Sequence, residues 1–100
     1  MASNNNSCFF TPRFALGNVV ATPGAIEALD QAGVNGGALV LRHVKGDWGD
    51  VPPPDAAMNE EAITNGSRIM SSYTLSTSVR IWIITEAGRH CTTLLLPDEY

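Results

Sequence analysis

The run Arg42-His-Val-Lys-Gly-Asp-Trp-Gly-Asp50 gathers the densest set of reactive side chains in the sequence. His43 carries the group whose charge switches near neutral pH, so it can serve as a general acid or base. Asp47 follows four residues later and could orient the imidazole. Asp47, Trp48 and Asp50 together make a candidate binding loop. One His and two Asp on a glycine-bearing loop are a poor metal signature, and no metal or cofactor is expected. The competing reading is architectural: Trp48 fills the core, and the aspartates cap backbone N–H groups.

Two further groups could do chemistry. In Arg68-Ile-Met-Ser-Ser-Tyr73, Arg68 suits a phosphate and Tyr73 suits substrate positioning. Ser71 and Tyr73 share one strand face, and Arg68 points to the other. In Glu86-Ala-Gly-Arg-His90, Glu86 and Arg89 flank a tight turn and could form an acid/base and phosphate clamp. The bland alternatives are a half-buried tyrosine and an exposed ion pair of little worth. The chain has no Gly-x-Ser-x-Gly elbow, P-loop or Gly-x-Gly-x-x-Gly, so hydrolase and nucleotide-cofactor readings lack support.

The elements that must position these residues follow from local signals. Asn18–Ala21 reads as a short strand. Thr22-Pro23 predicts a helix start and Gly33 its stop. Asn35 suits the cap of a second helix, with Val40, Leu41 and Val44 on one face, although Ala38–Leu41 also fits a buried strand. Residues 47–54 read as a loop because of their prolines. Asp55 is expected to cap a third helix over 56–64, with Met58 and Ala62 stacked at i, i+4. From Arg68 the period becomes two. Three strands follow, turned at Thr77-Ser78 and Ala87-Gly88. The expectation is an α+β domain, N-terminal helices packed on a C-terminal three- to four-stranded antiparallel meander. Residues 1–13 are expected to be a flexible arm and 14–100 the domain. Phe9, Phe10 and Phe14 would dock on it or contact a partner.

Composition narrows the function classes. One hundred residues suit one domain. Six basic and ten acidic residues give a net charge of −4, which does not favour nucleic acid as a partner. No run approaches the ~20 apolar residues of a membrane span. The polar start, without a basic n-region, predicts a cytoplasmic protein. Cys8 and Cys91 then read as free thiols, with a single disulfide the alternative.

Several runs carry a resemblance: Val20-Ala-Thr-Pro-Gly-Ala25, Arg42–Asp50, Gly66–Tyr73, Ile81-Trp-Ile-Ile-Thr-Glu-Ala87 and Thr92–Tyr100. In this order they resemble a family of small bacterial "plasmid-related" proteins carried by plasmids, phages and integrative elements. The resemblance covers about residues 17–100. It implies a mobile-element setting and assigns no activity. Its usual Thr-Glu-Ala-Asp-Arg-Ser is Thr85-Glu-Ala-Gly-Arg-His90 here. Gly88 in place of Asp removes a carboxylate from the turn.

Two functions are therefore expected. The first is a non-enzymatic module that binds a protein partner. The alternative is a metal-independent ribonuclease of barnase-like or RelE-like layout, with His43, Glu86, Arg68 and Arg89 as its catalytic residues.

Overall fold

The computed structural model describes residues 11–100. Strand β1 (Asn18–Ala21) leads into helix α1 (Pro23–Ala32), followed by α2 (Gly36–Val44) and α3 (Pro53–Asn65). Strands β2 (Ile69–Thr74), β3 (Arg80–Thr85) and β4 (Cys91–Leu95) complete the chain before a 3-10 turn at Pro97–Glu99. Thr22 caps α1 by accepting the Ala25 N–H at 3.1 Å, and Asn35 caps α2 by accepting the Gly37 N–H at 2.8 Å. Residues 38–44 are thus helical, and Leu39, His43 and Val44 form the inward stripe. Leu41, expected on that stripe, is exposed.

Helix α3 starts earlier than its sequence predicts. Pro53 and Pro54 occupy its first turn, where a missing N–H costs no helical bond. Asp55 lies inside that turn and is not the cap. Asn59 and Ala62 are buried, whereas Met58, expected to pack beside Ala62, is exposed.

The sheet is mixed, with order β1-β4-β3-β2. The expected antiparallel meander is present as β2-β3-β4, but a strand precedes the helices and joins it. β1 runs parallel to β4, Asn18 beside Cys91 and Ala21 beside Leu94. This pairing was not expected because a parallel partner is reached only by a long crossover, here made by all the intervening elements. One face of the sheet carries Ile81, Ile83, Leu94 and Tyr73 against Ala25, Leu29 and Leu39 of the helices. A smaller cluster joins Trp48, Ala62 and Ile69, with Phe14 against it.

The two edges of the sheet are treated differently. On β2, the Asn59 carboxamide donates to Met70 C=O at 2.8 Å and accepts from Met70 N–H at 3.2 Å. Next along, Ser72 N–H donates to Trp48 C=O, and Asp50 N–H donates to Ser72 C=O. A side chain and a loop thus do the work of a fifth strand. No described residue pairs with the outer edge of β1.

Arg13, placed by the sequence in the expected arm, is tied to the domain. Arg13 N–H donates to Val44 C=O, and its guanidinium grips Glu60 with two bonds of 2.7 and 3.1 Å. Phe9 and Phe10 lie outside the described residues.

Candidate functional site

His43 sits at the bottom of α2 with its ring between β2 and β3. Its Nδ1 is 2.6 Å from Ser71 Oγ, and its Nε2 is 2.9 Å from Thr85 Oγ1. Thr85 Oγ1 is 2.8 Å from Thr92 Oγ1, which donates to Leu16 C=O at 2.7 Å. That last bond orders the whole chain. A carbonyl can only accept, so the Thr92 proton points to Leu16. Thr85 must then donate to Thr92, and Thr85 accepts the proton of His43 Nε2. Nδ1 is left as the acceptor for Ser71 O–H. His43 is therefore the neutral Nε2–H tautomer.

The surroundings hold it neutral. His43, Ser71, Thr85 and Thr92 are all 0% exposed. Phe14 meets the imidazole edge-on at 5.2 Å, and Trp48 does so at 6.0 Å. Burial, helped by the charge of Arg89, pushes the His43 pKa down to about 4. A Ser–His hydrogen bond is the starting point of nucleophilic catalysis. Here both partners are fully buried.

The other sequence-predicted residues hold the frame together. Asp47 does not orient His43. Its carboxylate takes Arg42 Nε at 2.7 Å and the Gly49 N–H at 3.2 Å, and Arg42 holds it below the usual carboxylate range. Tyr73 O–H donates to Asp47 C=O at 2.6 Å, Arg42 lies 4.6 Å from its ring, and burial pushes its pKa up to about 12. Trp48 is buried and donates Nε1–H to Glu60 at 3.2 Å. Asp50 accepts Thr74 O–H at 2.7 Å. Together they tie the loop after α2 to β2.

Of the proposed catalytic group, His43 is fully buried, whereas Glu86 is exposed and the arginines are engaged elsewhere. Arg89 donates to Ala62 C=O and Ser67 C=O, at 2.7 and 2.6 Å, and so caps the carbonyl end of α3. Phe14 lies between it and His43, 5.7 Å from the guanidinium. Arg68 pairs with Tyr100 at the far end of the chain. The Glu86 side chain is exposed and bonds no described residue. Among the described residues, no three His, Cys, Asp or Glu side chains form a group able to hold a metal ion. No helix of the described residues is long and apolar enough to cross a membrane.

A groove of about 480 Å³ runs beside β1. Val19, Val20 and Ala21 form one wall, Ile26 and Leu29 another, and Val40 closes it from α2. Asp30 is its charged residue. Val19 and Val20 are each 47% exposed, and Ile26 is 56% exposed. The spacing of chemistry-bearing residues could not reveal this site, because its content is apolar and depends on which strand ends up at the edge. Comparison with known protein families, curated proteins and solved structures finds no match to the chain.

Proposed function

We propose that this chain is a non-enzymatic protein-interaction module, an accessory protein of a mobile element. The carrying observation is the unpaired β1 edge beside an apolar groove, where Val19, Val20 and Ile26 stand exposed together. Edge strands of this kind bind extended segments through main-chain hydrogen bonds, and the neighbouring pocket selects side chains. The polar residues lend further support, since His43, Arg89, Asp47 and Tyr73 are engaged in holding elements in place. The mobile-element setting rests on the resemblance of residues 17–100 to plasmid-related proteins.

Two experiments test this reading. Total bacterial RNA incubated with the chain in the absence of metal stays intact. Cleavage abolished by Glu86→Gln or Arg89→Ala would make it a ribonuclease instead. A bacterial extract passed over immobilised chain yields a partner that the Val20→Lys variant fails to retain. Equal retention by both would move the interaction away from this edge.

A further inference from the structure

We propose that the partner at β1 is a second copy of this chain. The two β1 strands pair antiparallel across a two-fold axis at Val20, and two four-stranded sheets become one. This rests on the interaction-module reading and specifies who occupies the edge.

The hydrogen-bonding pattern of β1 selects the register. Asn18 N–H donates to His90 C=O and Thr22 N–H donates to Leu94 C=O. In the parallel ladder the even-numbered residues therefore face β4. The N–H and C=O groups of Val19 and Ala21 point outward, and no described residue bonds them. These four groups are symmetric about Val20. Set antiparallel against a copy, Val19 exchanges both bonds with the partner's Ala21, and Ala21 does so with the partner's Val19. Val20 then stands directly opposite the partner's Val20. An axis at Val19 would instead require Gly17 to pair, and its φ of +65° takes it out of the strand. An axis at Ala21 would require Pro23, which has no N–H.

Side-chain chemistry agrees with the backbone. Val19 and Ala21 point to the helix-covered face of the sheet and Val20 to the opposite face, so the pairing covers apolar surface on both. Each groove receives the partner's Val19, and the exposed Ile26 of each copy lies at the same margin. β1 carries no charge, proline or bulge, the devices that keep lone edges from pairing. The far edge of the same sheet is closed by Asn59 and the Trp48–Asp50 loop. Self-pairing therefore stops at two copies and does not propagate into a fibre. Each copy carries a net charge of −4, and Asp30 lies in each groove. Salt screens this repulsion, so the dimer tightens as ionic strength rises.

Sedimentation equilibrium of the full chain, from about 1 µM to about 1 mM, reads the dimer directly. Val20→Lys is exposed in the monomer and leaves the core intact. It opposes two ammonium groups across the axis and weakens association roughly tenfold or more. Register is read by oxidation in a Cys8→Ser, Cys91→Ser background. Val20→Cys yields a disulfide-linked dimer, because directly opposed residues of this type stand about 4.5 Å apart at Cα. Val19→Cys does not, because its own copy lies diagonally at roughly 7–8 Å. A wild-type chain that stays monomeric throughout overturns the proposal. So does a dimer indifferent to Val20→Lys, or one linked through Val19→Cys and not Val20→Cys. A monomer that still captures another protein through Val20 would leave the interaction-module reading standing, whereas RNA cleavage would remove it.

Discussion

Ser71 Oγ lies 2.6 Å from His43 Nδ1, and neither residue has any exposed surface. The hydroxyl donates and the ring accepts, the same direction as in a histidine-activated serine. The far ring nitrogen, however, is held by the Thr85 hydroxyl and not by a carboxylate, and the pair is fully buried. The pair joins α2 to β2 inside an apolar shell of Phe14 and Trp48. Its chemistry is that of a buried polar contact whose loss is expensive.

The first consequence is a pH-dependent stability. The folded-state pKa of His43 is about 4, against an ordinary 6.5. As pH falls below 6.5 the unfolded chain takes up the proton first, so protonation favours unfolding. Full stability is present above pH 6.5. About 3 kcal/mol is lost progressively down to pH 4, at 1.36 kcal/mol per pKa unit. Urea unfolding at a series of pH values measures the slope, with His43→Gln as the control. Equal slopes for the two proteins between pH 6.5 and 4 would remove His43 as the cause.

The tautomer can be seen directly. Nitrogen chemical shifts of the His43 ring should report a protonated Nε2 and a bare Nδ1 at pH 7. Thr85→Val removes the acceptor for that Nε2–H and costs about 1–3 kcal/mol, the penalty of leaving a buried donor unpaired. Thr85→Val and Thr92→Val combined cost less than the sum of the two, because the hydroxyls act in one chain. Strict additivity in denaturant melts would mean that the three groups are independent.

Asn59 closes the β2 edge with one amide that both gives and takes. Asn59→Asp keeps the shape but cannot donate to Met70 C=O, and it sets a carboxylate against that oxygen. A loss of about 2 kcal/mol is expected. The opened edge should also aggregate, seen as light scattering on warming. An unchanged melting temperature would show that solvent serves Met70 equally well.

Gly49 and Gly33 make a matched comparison. Both have left-handed backbones, with φ of +74° and +69°. A Cβ at Gly33 meets open space, whereas at Gly49 it runs into the Ser72 carbonyl oxygen and the Tyr73 ring. Gly33→Ala should cost about 1 kcal/mol, the conformational penalty alone. Gly49→Ala should cost about 3 kcal/mol or more, because the loop must leave β2. Similar melting temperatures for the two variants would contradict the close approach.

Local chemistry made several elements legible. Thr22-Pro23 and Gly33 bound α1 because capping is read within a few residues. The inward parity of Ile69, Ser71 and Tyr73 follows from the period of two. Trp48 as a core plug and the aspartates as backbone caps were among the readings of the 42–50 run. The partners of His43 were not legible. Ser71 and Thr85 lie 28 and 42 residues further on, and an inward hydroxyl in an apolar strand looks like ordinary strand propensity. The edge position of β1 was equally hidden. Four residues, Asn18 to Ala21, say nothing of whether one or two neighbours flank them, and that decides whether Val19 and Val20 are core or surface. The Pro52–Pro54 run was misjudged because two of its prolines fill the first turn of α3.

The place of β4 between β1 and β3 has a consequence for biosynthesis. Asn18 is made before Cys91, with three helices and two strands between them, yet they are sheet neighbours. Until β4 has been made, β1 has no partner and β3 has an open side. The sheet is therefore completed from its middle, by the last of its four strands in chain order. Between the synthesis of β3 and that of β4 the growing chain carries two unpaired strand edges, and the insertion of β4 closes both.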